Sequence, residues 1–114
     1  MIVHLVLFKF KPGVSRADPE VDEVIAGMSG LPRRIPVIRG WEHGFNRTED
    51  PLAWDYGLRA LFDDEHDLHG YFDHPQHVAV LRQWEAISDL VFCDYALHAE
   101  ENSRHATSQA KEQP

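Results

Sequence analysis

The stretch from Tyr71 to His77 sets a tyrosine and two histidines around Pro75. Imidazole exchanges protons near neutral pH, and a phenolic hydroxyl can donate a hydrogen bond to a developing oxyanion. The stretch is therefore a candidate for general acid–base chemistry. His74, which directly precedes the proline, is better suited to the junction between two helices.

His77 opens a helical stripe that would point inward, and the stripe consists of His77, Val80, Leu81, Trp84 and Ile87. Desolvation of an inward imidazole disfavours its charged form, which suits a base. A second interpretation is equally physical: a core histidine bonded to a backbone carbonyl, beside a core tyrosine with its hydroxyl at the rim. From the residues alone, the purely structural role is the commoner one.

Other reactive residues give weaker signals. His4 lies in an apolar run and needs a polar partner if it is buried. The single cysteine, Cys93, is predicted to be a packed strand residue. His66 and His69 are three residues apart among acidic residues, and this spacing permits adventitious metal binding on a solvated helix face. No glycine-rich loop typical of nucleotide sites is present, so we expect no cofactor and no dedicated metal site.

Periodicity indicates the elements that must position these residues. The stretch 2–10 is apolar at both parities, with His4, Val6 and Phe8 on one face, and this predicts a strand covered on both sides. A helix should begin at Pro19 after the N-cap Asp18 and end at Gly30. The stretch 31–36 is expected to be a loop, followed by strands over 37–46 and 54–62. Two helices divided before Pro75 and a strand over 90–98 complete the pattern.

The order β-α-β-β-α(α)-β predicts an α+β fold, the ferredoxin-like split βαβ arrangement with an antiparallel sheet. We expect one domain over residues 1–98 and a polar, disordered tail over 99–114. Because the first strand is apolar on both faces, an identical chain should cover the open face, giving a homodimeric α/β barrel.

Composition narrows the partners. The chain has 114 residues, 43% of them hydrophobic, and a formal net charge of −8. This charge argues against binding of nucleic acid and of anionic membrane surfaces, which both attract basic proteins. The start of the chain is not typical of a signal peptide, and a lone cysteine fits a reducing compartment, so a cytoplasmic location is expected.

Several segments together resemble the stress-responsive dimeric α/β-barrel (Dabb) family. They are His4 to Gly13, Leu31 to Pro36, Gly44 to Asn46, Tyr71 to His77, and Asp94 with Tyr95. The resemblance covers Val3 to Tyr95 and implies a ferredoxin-like protomer that forms a homodimeric barrel. It also implies cofactor-independent chemistry, because the family includes a plant polyketide cyclase and a plant hydroxynitrile lyase.

The resemblance implies roles for particular residues. By motif match, His77 becomes the catalytic base and Tyr71 the oxyanion donor. The resemblance places His4 and the position near Tyr56 in the substrate pocket, and we expect the pocket to include Val6, Phe8, Leu58, Leu81 and Trp84 as well. At Tyr56 this chain departs from the plant cyclase, which has a pocket histidine there, so the same substrate is not expected.

Three functions remain open at this stage. The first is a cofactor-independent lyase or cyclase of a small, largely apolar carbonyl or polyketide-like compound. The second is a non-catalytic stress-responsive homodimer that binds a hydrophobic metabolite. The third is a cofactor-free monooxygenase, an activity found in proteins of the same dimeric-barrel architecture.

Overall fold

The computed structural model describes residues 1–97. The tail predicted over 99–114, and the predicted domain end at residue 98, lie outside the described residues. The elements follow in the order β1 (Ile2–Phe10), α1 (Pro19–Ser29), α2 (Leu31–Arg34), β2 (Gly40–Phe45), β3 (Tyr56–Phe62), α3 (Glu65–Asp73), α4 (Pro75–Ile87) and β4 (Ser88–Ala96).

The four strands form one antiparallel sheet in the order β2-β3-β1-β4. This is the ferredoxin-like α+β fold that the sequence predicts. The helices cover one face, where β1 contributes His4, Val6 and Phe8 to the buried layer. Strand β1 is central, so the residues on its helix-facing side meet both β3 and β4.

The stretch 31–36 was expected to be a loop, and this prediction is wrong. Its first four residues form α2, and the amide of Ile35 bonds back to the carbonyl of Leu31 at 2.9 Å. Pro32 is compatible with the first helical turn, where no internal amide partner is required. Leu31 and Ile35 are both buried, so tertiary packing stabilises this short turn.

The bounds of three strands also differ from the prediction. Strand β2 begins at Gly40 rather than 37, β3 begins at Tyr56 rather than 54, and β4 spans Ser88–Ala96 rather than 90–98. Gly40 lies in close approach to its neighbour, because a Cβ there would come within 2.7 Å of the Leu61 side chain. Gly44 shows no such approach.

The sheet face opposite the helices is only partly covered. Val3 is fully buried within the described chain, but Leu7 is 41% exposed and Val91 50% exposed. Cys93 pairs with Leu5 on this face and is exposed, so the prediction of a packed cysteine is wrong for a single chain. Within residues 1–97, no helix is long and apolar enough to cross a membrane.

Candidate active site

A cavity of about 320 Å³ lies between the helix-covered face of the sheet and α3 and α4. Its lining contains both predicted catalytic residues and all but one of the predicted pocket residues. The predicted residues that line it are His4, Val6, Phe8, Leu58, Tyr71, His77, Leu81 and Trp84.

His77 stands in the first turn of α4, directly after the break that Pro75 imposes. Its Nδ1 lies 3.0 Å from the backbone carbonyl of Phe72. A carbonyl can only accept, so Nδ1 carries the hydrogen and the neutral ring has a bare Nε2. Burial lowers the pKa of His77, the bond to Phe72 opposes this shift, and nearby His4 and His74 lower the pKa further. A neutral imidazole with one unprotonated nitrogen is the form that a general base requires.

Tyr71 lies in the last turn of α3, and its ring centroid is 4.2 Å from that of His77. The side chain is almost fully buried, and burial raises the pKa of its hydroxyl well above the ordinary value. Tyr71 therefore stays a neutral phenol, which can donate a hydrogen bond but cannot act as an anionic base.

His4 reaches the cavity from the sheet side and is only 4% exposed. Its Nδ1 lies 2.5 Å from a carboxylate oxygen of Asp94, its register partner on β4. The ring of His4 lies 5.8 Å from that of Tyr71. The carboxylate fixes the orientation of the imidazole, in the way that acid–histidine pairs do in other sites.

Asp94 was not among the predicted site residues. A signal did exist, because a buried histidine in an apolar strand needs a polar partner. The sequence could not show which of the chain's carboxylates is the partner of His4, since this depends on the register between β1 and β4. Here the pairing places Asp94 directly opposite His4.

Tyr56 does not line the cavity, in contrast to its predicted role. Its hydroxyl lies 2.5 Å from Nδ1 of His43, on the neighbouring strand β2. Its ring packs 5.4 Å from that of Trp84 and 4.8 Å from that of Phe45. These contacts direct the hydroxyl toward β2 and away from the cavity cluster, as we name His4, Tyr71 and His77.

Seven residues outside the predicted set also line the cavity: Met28, Leu31, Phe72, Val80, Glu85, Leu90 and Phe92. Leu90 and Phe92 lie on the edge strand β4, and Phe92 is 59% exposed although it lines the cavity. The opening therefore lies toward the β4 edge of the sheet. Apolar side chains dominate these walls, which suits a largely apolar ligand.

The remaining histidines do not join this site. His74 caps α4 by accepting a hydrogen bond from the amide of Gln76 at 3.1 Å, which confirms its predicted place at the helix junction. His66 and His69 are exposed on α3. Residues 1–97 contain no group of three or more potential ligands that could hold a metal ion.

The family model of the stress-responsive A/B barrel domain (Dabb) matches residues 2–97. The chain belongs to this family. An uncharacterized protein of Streptomyces coelicolor is 36% identical over 95 residues, which cover 83% of this chain and 98% of the relative.

Solved structures show the same fold. A dimeric ferredoxin-like protein of unknown function from Thermobifida fusca is 30% identical, with a TM-score of 0.75 over 84% of this chain and 90% of its own. The hydroxynitrile lyase of Passiflora edulis is similar at a TM-score of 0.74, with 19% identity over 86% of this chain and 94% of its own. The cofactor-independent oxygenase SnoaB of Streptomyces nogalater has a TM-score of 0.64 and 16% identity over 85% and 92%. The likeness to these two enzymes concerns the fold.

Proposed function

We propose that this protein is a cofactor-independent lyase or cyclase that acts on a small, largely apolar carbonyl compound. One observation carries the proposal: Tyr71, His77 and His4 converge on a single apolar cavity, although they come from three different elements. Polar groups that converge in an apolar pocket are typical of active sites, and two of these groups, Tyr71 and His77, have pKa values shifted by burial.

In the proposed chemistry, His77 takes one proton from the substrate and later returns it to the product. Nε2 of His77 accepts a proton from an O–H or C–H group next to a carbonyl or incipient carbonyl carbon. Negative charge then develops on the carbonyl oxygen or the adjacent carbon, and the hydroxyl of Tyr71 stabilises it on oxygen. A carbon–carbon bond breaks in a lyase or forms in a cyclase, and His77 returns its proton to the atom that ends with the electron pair. Asp94 positions His4 against the same region of the substrate.

A non-catalytic metabolite-binding protein is the second candidate. The observation that favours it is the bond between His77 and the Phe72 carbonyl, which is the partner expected of a structural core histidine. The same cavity would then bind a hydrophobic metabolite without turning it over. Only the likeness in fold to SnoaB supports the monooxygenase interpretation.

A substrate screen separates the first two candidates. Purified protein is incubated with aromatic cyanohydrins and with linear β-diketones, and products are followed by mass spectrometry. We expect turnover of at least one class, and a loss of ~10²–10⁴-fold in His77→Ala, the range expected for a missing acid–base group. His69→Ala is the control, because His69 is exposed and does not line the cavity.

Ligand binding without turnover in this screen favours the metabolite-binding candidate. Turnover that is unchanged in His77→Ala contradicts the proposed mechanism, even if the enzyme class is correct.

We also propose that the chain forms a homodimer through its open sheet face. Leu5, Leu7, Val91 and Tyr95 lie side by side there, and the last three are 41 to 50% exposed. A contiguous exposed apolar patch of this kind is typical of an interface. The T. fusca protein of the same fold is described as dimeric.

Leu5→Asp tests this assembly, because it places an unpaired charge in the proposed interface. We expect sedimentation at micromolar concentration to show a dimer for the wild type and a monomer or unfolded chain for the variant. Leu52→Asp is the matched control, since Leu52 is 88% exposed in the loop between β2 and β3. A wild-type protein that sediments as a folded monomer contradicts the proposal.

A further inference from the structure

The charge of the cavity lining limits what the cavity can hold. Among the described residues that form the lining, none is a lysine or an arginine, and one, Glu85, carries a carboxylate. Lys11 contacts this wall only from outside the lining, where its ammonium group bonds to the backbone carbonyl of Glu85 at 2.9 Å. A bound anion would therefore find no permanent positive charge inside the cavity.

The two histidines of the cavity do not supply this charge either. The Nδ1 of His4 already faces the carboxylate of Asp94, so any positive charge on His4 is matched within the protein. His77 presents a bare Nε2, which repels the oxygen of an anion unless the ring first takes a proton from solvent. Burial lowers the pKa of His77, so this uptake is unfavourable above neutral pH.

An uncharged ligand with an acidic hydrogen meets none of these difficulties. Its O–H group can donate to Nε2 of His77, and its oxygen can accept from the hydroxyl of Tyr71. Both hydrogen bonds use groups that the lining offers without any change in protonation. A buried anion would instead leave its charge unpaired in apolar surroundings, which is unfavourable for an isolated charge.

We propose that the cavity selects uncharged protic compounds, such as phenols and enols, and rejects carboxylates of the same size. The proposal rests on the proposed function, because it assigns a ligand class to the same site. It concerns binding and does not require turnover. The volume of about 320 Å³ is at the lower end of the roughly 300–1,000 Å³ of ligand pockets, which points to a ligand of one ring or an equivalent short chain.

The test compares three compounds of nearly equal shape: para-ethylphenol, para-ethylanisole and para-ethylbenzoate. Binding to the full chain is measured by calorimetry and ligand-observed NMR at about pH 8, where the phenol is uncharged and the benzoate is ionised. We expect the phenol to bind at least ~10-fold more tightly than the benzoate. The anisole, which cannot donate to His77, should bind between the two.

Two variants sharpen the test. Glu85→Gln should strengthen binding of the benzoate relative to binding of the phenol, because it removes the carboxylate from the wall. Glu20→Gln is the matched control, since Glu20 lies in the first turn of α1 and does not line the cavity. It should change neither affinity.

Equal or tighter binding of the benzoate overturns the proposal, and so does a phenol that produces no binding signal at millimolar concentration. These outcomes differ from a failure of the proposed function. Selective binding of the phenol without any turnover in the substrate screen would contradict the proposed enzyme activity and support the proposed ligand class. Turnover of a carboxylate substrate that depends on His77 would support the enzyme activity and contradict the ligand class.

Discussion

Two histidine–tyrosine clusters lie on the same side of the sheet, and they differ in what their hydrogen bonds leave free. The cavity cluster contains His77 and Tyr71. The second, which we name the edge cluster, consists of Ser29, His43 and Tyr56. Burial lowers the pKa of His43 and raises that of Tyr56, as it does for the histidine and tyrosine of the cavity cluster.

The edge cluster uses up its own hydrogen-bonding capacity. The hydroxyl of Ser29 donates to the carbonyl of Ile25 at 2.7 Å, so toward His43 it can only accept. Nε2 of His43 therefore carries the hydrogen, and its Nδ1 accepts from the hydroxyl of Tyr56. Both nitrogens of this imidazole and the phenolic hydrogen are engaged within the protein.

In the cavity cluster, by contrast, only Nδ1 of His77 forms a hydrogen bond within residues 1–97, and Nε2 remains unprotonated and without a partner there. Each cluster contains one histidine whose pKa is lowered by burial and one tyrosine whose pKa is raised by burial. The difference is a cavity beside one of them and an internal partner for each group in the other. A shifted pKa thus indicates only that the group is buried. A ring nitrogen without a partner in the protein, next to a cavity, is what indicates a functional site.

The largest expected contrast concerns the two tyrosines. Tyr71→Phe should lower kcat by ~10²–10³-fold, the loss typical of a missing oxyanion donor. Tyr56→Phe should leave kcat within about two-fold and instead lower the free energy of unfolding by about 0.5–1.5 kcal/mol, because it deletes a protein–protein hydrogen bond. Steady-state kinetics and urea unfolding of both variants check this. A larger kinetic loss in Tyr56→Phe would contradict the distinction between the clusters.

A smaller effect is expected from Asp94, the carboxylate that holds His4 of the cavity cluster. Asp94→Ala leaves the buried His4 without its carboxylate partner and should lower the free energy of unfolding by about 1–3 kcal/mol. Asp94→Asn keeps an acceptor oxygen and should lose less. Urea unfolding at a fixed protein concentration measures both, since dimerisation would make stability depend on concentration. Equal losses in the two variants would show that the hydrogen bond to His4 contributes nothing.

The smallest effect concerns pH and involves one histidine of each cluster, His77 and His43. The folded-state pKa values of His77 and His43 are both lowered by burial, so the unfolded chain binds more protons below its own pKa of about 6.5. Their contribution to stability is fully present above that pH and is lost as the pH falls through the window below it. Each histidine can contribute a slope of at most about 1.4 kcal/mol per pH unit.

Urea unfolding of the wild type, His77→Gln and His43→Gln between about pH 8 and pH 5.5 checks this prediction. Each variant should lose less stability than the wild type as the pH falls. A wild type that gains stability over this range would contradict the predicted sign.

Local patterns in the sequence predicted much of this fold and part of the site. The alternation in β1 placed His4, Val6 and Phe8 on one face, and the stripe in α4 placed His77 beside Leu81 and Trp84. Both periods depend only on neighbouring residues, so a single chain segment reveals them. The same reasoning missed α2, because its stability depends on burial of Leu31 against the rest of the core.

The sequence by itself therefore determined which side chains share a strand face or a helix stripe, and which chemistry each can perform. Only the tertiary structure decided which of these faces meet. His4 finds Asp94 at a separation of 90 residues because β1 and β4 pair in one register, and a shift of one residue would turn Asp94 to the other face. Tyr56 has a residue type and a strand face suited to the pocket, but its hydrogen bond to His43 holds it outside the cavity. Register and packing are long-range properties of the folded chain, and no local period encodes them.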